Sequence, residues 1–118
     1  MRPVPSDSYR VQGGRPLSGV LPAAGSKNAA LPQLAATLLT DRPVRLSNLP
    51  AIRDVRAMLD ILRSLGAQVD AEGPGAVTVT ARDIDPTALD RDLCRRIRAS
   101  ILLAGPLMAR TGELRLPP

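Results

Sequence analysis

The sequence runs to 118 residues, enough for one domain of ordinary size, and a hydrophobic fraction of 44% excludes a disordered chain. The formal charge is +5, from 16 basic and 11 acidic residues. The arginines are spread along the whole chain, however, and Tyr9 is the one aromatic side chain, so the balance argues against nucleic acid and for anionic ligands. A single cysteine, Cys94, excludes an intramolecular disulfide. No apolar run approaches the ~18 residues of a membrane span, and residues 1–8 lack the apolar stretch of a signal peptide. A cytoplasmic protein without membrane contact is expected.

In chain order, residues 1–8 read as a flexible tail. Tyr9–Gln12 and Leu17–Leu21 are short strand candidates around Gly13-Gly14. After the small-residue loop Pro22–Ser26, a largely apolar helix is expected over Ala29–Leu39, burying Leu31, Leu34, Ala35, Leu38 and Leu39. Pro32 is comfortable only in a first helical turn, so this helix must begin close to Ala29. That places Ser26, Lys27 and Asn28 at its N-terminal end. Pro43–Leu49 reads as a strand. Ile52–Leu65 is the clearest amphipathic helix, with Val55, Met58, Leu59, Leu62 and Leu65 at helical spacing, Asp54 in its first turn and Gly66 as its stop. Ala67–Asp70 and Ala76–Ala81 form a hairpin around Glu72–Gly75. Asp83–Thr87 is a loop, with Asp83 and Asp85 as turn formers. Asp90–Arg110 is helical in two parts, the second interrupted by Gly105-Pro106, and Glu113–Leu116 is a final strand.

A shift of 70 residues lays Ala29 on Ala99, Leu31 on Ile101, Leu38 on Met108 and Val44 on Leu114. Both copies read polar residue, apolar helix, turn, strand. The chain thus holds one strand–helix–strand–helix–hairpin unit and the start of a second, and a stacked unit with no neighbour on one side leaves apolar surface bare.

Fifteen of the sixteen basic residues are arginine, and Lys27 is the only lysine. In such a background a surviving lysine points to a site that needs a compact point charge rather than a planar fork, although a chance surface lysine reads the same way. Helix starts offer unpaired N–H groups and the positive end of the dipole, so Lys27 and Asn28 make a candidate anion site, with Ser26 as the N-cap. Under the 70-residue shift Asn28 falls on Arg98, which stands before the apolar run Ala99–Leu103 and joins them as a candidate. Arg95 and Arg96 read as a solvated helix face. Cys94 reads as a structural thiol, there being no histidine to pair with it. Neither a metal site nor a cofactor is indicated.

The run Ser26-Lys27-Asn28-Ala29-Ala30-Leu31-Pro32, continued by Leu34–Thr40, resembles the opening motif of the UDP-N-acetylglucosamine enolpyruvyl transferases, also called 1-carboxyvinyltransferases. Val44–Pro50, Asp54-Val55, Leu65–Val69, Arg98–Ile101, Gly105–Leu107 and Leu116-Pro117 follow in the same order. The sister family of the shikimate pathway carries Ser-Lys-Ser and a later arginine where this chain has Ser26-Lys27-Asn28 and Pro32. The resemblance implies the EPSP synthase-like inside-out α/β barrel, present in part, with helix N-termini converging on a cleft. It implies transfer of enolpyruvyl from phosphoenolpyruvate to the 3-hydroxyl of UDP-N-acetylglucosamine, with Lys27, Asn28 and Arg98 contacting these substrates. It divides the chain into residues 9–22, strands that pair with a second domain, and residues 23–118, part of a substrate-binding and catalytic domain. In the family, two glycines and a general-acid Cys or Asp follow the Leu116-Pro117 position. Here the sequence reads Pro118, so the resemblance puts the general acid beyond it, withholds that role from Cys94, and implies a fragment that is inactive alone and needs the C-terminal part. A stand-alone anion- or UDP-sugar-binding module and a non-functional remnant are the competing expectations.

Overall fold

The computed structural model describes residues 9–115. Helix α1 spans Lys27–Ala36 and runs on into a 3-10 turn, Thr37–Leu39. It begins two residues earlier than Pro32 suggested, so the ring sits in its sixth position and has no N–H to offer the Asn28 carbonyl. Ala30, Leu31, Leu34, Ala35 and Leu38 form the buried stripe. Leu39, expected inside, is exposed, because the tighter 3-10 turn takes it off that stripe. The hydroxyl of Thr37, the one buried polar side chain among the described residues, donates to the Leu34 carbonyl at 2.7 Å.

Strand β1 (Val44–Leu46), strand β2 (Gln68–Ala71) and strand β3 (Val77–Thr80) make an antiparallel sheet in the order β1-β3-β2. Val79 stands opposite both Val44 and Val69. The period of two shows in β3, where Val77 and Val79 are buried and Thr78 and Thr80 are half-exposed. On the outer face, Arg45 donates to Glu72 at 2.5 Å and Thr78 donates to the same carboxylate. These two contacts hold the Glu72 carboxyl below the usual carboxylate range, the Thr78 bond first and the Arg45 bond second.

Helix α2, Arg53–Ser64, buries Val55, Met58, Ile61 and Leu62 and packs on α1 and β2. It stops at Gly66, whose φ of +100° only glycine adopts without strain. Gly66 N–H donates to Arg63 and Ala67 N–H to Leu62, which satisfies two of the last carbonyls in a Schellman arrangement. The Asp85 carboxylate accepts from the Thr87 hydroxyl at 2.6 Å and from its N–H at 2.9 Å, which makes it the turn former expected. Helix α3, Arg91–Arg96, is capped by Asp90, which accepts from Asp92 N–H and Leu93 N–H. A 3-10 stretch, Arg98–Leu103, leads into helix α4, Ala104–Thr111.

Four expectations are corrected. Tyr9–Gln12 and Leu17–Leu21 form no strands, and Tyr9, Val11, Leu17, Val20 and Leu21 are all almost fully exposed. A strand needs a neighbour for its N–H and C=O groups, and none lies beside these residues among those described. Asp90–Arg110 is helical in two parts, as expected, parted at Ile97, but Gly105-Pro106 does not interrupt the second. Both lie in the first turn of α4, where a missing N–H costs nothing. Residues 113–115 form no strand, and Leu116 lies outside the described residues, as does the tail expected over residues 1–8. The 70-residue repeat is therefore one of helices: α1 followed by a 3-10 turn in the first copy, a 3-10 stretch followed by α4 in the second. Its burial differs too. Leu31 and Leu38 are buried, whereas Ile101 and Met108 are exposed.

Arg110 ties the two copies together. Its guanidinium donates to the carbonyls of Leu38 at 2.8 Å, Ala81 at 2.7 Å and Arg82 at 3.0 Å. These carbonyls end the α1 3-10 turn and follow β3, where backbone acceptors run out of partners. Replacement Arg110→Ala is expected to cost about 2 kcal/mol in urea unfolding, as acceptors are left unpaired. Replacement Arg110→Lys recovers only part of that, because one ammonium does not span three carbonyls. Equal midpoints for parent and Arg110→Ala would refute this brace.

Candidate functional site

Ser26 holds the N-cap position of α1 in extended backbone, and its carbonyl accepts the first helical bond from Ala30 N–H at 2.9 Å. Its side chain makes no capping bond, contrary to the role expected for it. The N–H groups of the first turn therefore gain no intrahelical acceptor from either source. Lys27 and Asn28 are the first two residues of this turn, and both are exposed.

A cationic side chain at a helix N-terminus opposes the dipole. Here it is offset by Asp54, in the first turn of α2, whose carboxylate lies 2.5 Å from Lys27 Nζ. The aspartate sits at its own favourable helix end. With side chains 53% and 32% exposed, the pair contributes under about 1 kcal/mol to stability. Its consequence is positional: it holds the Lys27 ammonium against α2.

Arg98 opens the 3-10 stretch. The residue before it, Ile97, is buried and extended at φ −134°, ψ 129°. In a continuous helix, residues two apart point roughly 200° away from each other. One extended residue restores a period of two and brings Arg96 and Arg98 to the same side. Both line a cavity of about 470 Å³ together with Lys27, Asn28, Pro32 and Asp54. The structure thus brings the three residues singled out from sequence, Lys27, Asn28 and Arg98, onto one cavity at the starts of α1, α2 and the 3-10 stretch. It adds Arg96, which sequence reasoning took for a solvated face, and Asp54, which it saw only as a helix-start acid. The signal for Arg96 was its spacing from Arg98, legible only once the chain is known to break between them. Arg95, by contrast, lies 3.8 Å from Asp92 on the outer side of α3 and remains on the solvated face.

Arg96 and Arg98 have no carboxylate within ion-pair reach among the described residues. The cavity therefore presents two uncompensated guanidiniums, one ammonium already paired, and the open N–H groups of α1. That arrangement suits a phosphate or carboxylate. Cys94 lies elsewhere, 5% exposed in the core, with its thiol pKa raised by burial and then by Asp90. A thiol held protonated in this way is inert as a nucleophile.

The family model of EPSP synthase (3-phosphoshikimate 1-carboxyvinyltransferase) matches residues 11–117. The chain belongs to the EPSP synthase family. Among the curated members of that family, it is 50% identical over 110 residues to the UDP-N-acetylglucosamine 1-carboxyvinyltransferase of Bradyrhizobium diazoefficiens, covering 93% of this chain and 26% of that protein. It is 43% identical over 110 residues to the same-named protein of Treponema denticola, again over 93% of this chain and 26% of that one. The chain spans about a quarter of the length of these relatives. Among solved structures, the enolpyruvyl transferase NikO from Streptomyces tendae superposes with a TM-score of 0.70 at 33% identity, over 85% of this chain and 23% of that one. The mixed helix-and-strand unit described above is therefore a partial enolpyruvyl transferase fold, as the sequence motifs implied. No helix among the described residues is long and apolar enough to cross a membrane.

Proposed function

We propose that this chain is the part of a UDP-N-acetylglucosamine 1-carboxyvinyltransferase that grips the anionic substrates, phosphoenolpyruvate and UDP-N-acetylglucosamine. The whole enzyme would transfer enolpyruvyl to the sugar 3-hydroxyl with release of phosphate, the first committed step of peptidoglycan precursor synthesis, in the cytoplasm. The observation that carries this reading is the convergence of Lys27, Asn28 and Arg98 on one cavity. In the reading, Lys27 supplies a point charge, Asn28 a donor and an acceptor, and Arg98 a planar fork for a carboxylate or phosphate. The exposed apolar side chains of residues 9–22 would pack against a second domain of the same enzyme. The general acid would come from another stretch of that enzyme, since the one thiol here is buried.

The test is a titration of the 118-residue chain with phosphoenolpyruvate, followed by amide shifts. Saturable shifts at residues 26–28 and 98 are expected, weakening as salt screens the exposed charges. With both substrates present, no phosphate release is expected from this chain alone. Absence of any shift at millimolar phosphoenolpyruvate would overturn the reading.

A further inference from the structure

Beside the cavity at Lys27, with Asp54, Arg96 and Ile97 lining both, lies a second cleft of about 520 Å³ between α2 and α3. One wall is a face of α2, where Arg53, Arg56, Ala57 and Asp60 stand at i, i+3, i+4 and i+7; the other is made by Leu93 and Arg96 of α3 and by Ile97, the extended residue that ends it. Of these, Ile97 is buried and Ala57 and Leu93 are half-buried, whereas Arg53, Arg56 and Arg96 are exposed.

Its charge is uneven for a reason visible in the ion pairs. Both acids of the wall are already engaged elsewhere: Asp54 with Lys27 at 2.5 Å, and Asp60 with Arg63 at 2.8 Å. Arg53, Arg56 and Arg96 have no carboxylate in reach among the described residues. Three guanidiniums therefore line a cleft whose two carboxylates, Asp54 and Asp60, are each already paired with another cation. Guanidiniums bind phosphate oxygens in paired, planar hydrogen bonds, which a single ammonium does not match.

We propose that this cleft is a second anion site, distinct from the one at Lys27, that takes a phosphate or diphosphate group between Arg53, Arg56 and Arg96. It requires neither Lys27 nor phosphoenolpyruvate. A ligand with two anionic groups would reach both sites, since Asp54, Arg96 and Ile97 line each.

The 15N-labelled 118-residue chain is titrated with inorganic pyrophosphate, with UDP-N-acetylglucosamine and, separately, with phosphoenolpyruvate. Pyrophosphate or the nucleotide sugar is expected to shift residues 53–57 and 93–97. Whichever of the two does so names the source, a free phosphate compound or the diphosphate of a nucleotide sugar. The double variant Arg53→Gln/Arg56→Gln, both positions being exposed, is expected to weaken that binding about tenfold. The phosphoenolpyruvate titration reads the Lys27 cavity on its own, so failure of one site is distinguishable from failure of the other. Shifts confined to residues 26–28 and 98, no shift with either diphosphate, or unchanged affinity in the double variant would each overturn the second site. Should the variant not fold, the location of the shifts in the parent still decides.

Discussion

Replacing Gly25 by alanine is expected to destabilise the chain by about 3 kcal/mol and to disturb the candidate site as well. A Cβ at this position would lie 1.8 Å from the Asn48 carbonyl oxygen, 2.9 Å from its carbon and 3.0 Å from Pro50 Cδ. The first two are backbone atoms, so no rotamer relieves the clash. Neither can the opposing loop retreat easily. Asn48 holds φ +56°, a left-handed conformation that asparagine tolerates better than most residues, and Leu49 next to it is buried and donates to the Gly75 carbonyl at 2.8 Å. Gly25 therefore sets how closely the entry to α1 approaches the loop before α2. Any relief by moving Gly25 moves Ser26 and Lys27 with it, and the 2.5 Å pair with Asp54 is lost. Urea unfolding and the amide shifts of Lys27 and Asn28 check this together. A change under about 0.5 kcal/mol with unshifted amides would show that the close approach is dispensable.

The second large effect is on binding. Lys27→Ala is expected to weaken phosphoenolpyruvate binding roughly tenfold to hundredfold, the loss of one charge-assisted hydrogen bond worth about 1.5–3 kcal/mol. Stability is expected to fall by under about 1 kcal/mol, because the ion pair with Asp54 is half-exposed. The split is informative. A structural lysine would lower stability and binding together, whereas a ligand-holding one separates them. Lys27→Arg retains the charge, and the expectation is that it does not restore affinity, because the planar fork cannot occupy the position that Asp54 gives a compact ammonium. Equal affinity in parent and Lys27→Ala, measured calorimetrically at one ionic strength, would remove Lys27 from the site.

Much of the molecule was legible beforehand where local rules suffice. The period of α2, its stop at Gly66, the hairpin around Glu72–Gly75 and the turn at Asp85 each rest on residues within a few positions of one another. The motif from Ser26 to Pro32 and the segments that follow it in order were enough to point to the family, and the helix start at Lys27 followed within two residues. What failed depended on partners distant in the chain. Residues 9–22 have strand-like composition, but a strand exists only when another backbone lies alongside, and composition carries no information about that. Leu39 and Met108 have the same apolar character as Leu38, yet are exposed, Leu39 because a 3-10 turn takes it off the buried stripe.

The candidate site divides in the same way. Sequence alone determined its chemistry: one lysine among fifteen arginines, a helix start, and a second helical start 70 residues on. Tertiary structure alone decided its membership. The extended Ile97 turned Arg96 from the solvated face to the cavity, the packing of α1 on α2 delivered Asp54 to Lys27, and the facing of α2 and α3 gathered three arginines around one cleft. The physical reason is that charge and propensity belong to single residues, whereas convergence depends on the relative placement of helices, which the burial of Leu34, Met58, Ile61, Leu62 and Leu103 in a common core enforces.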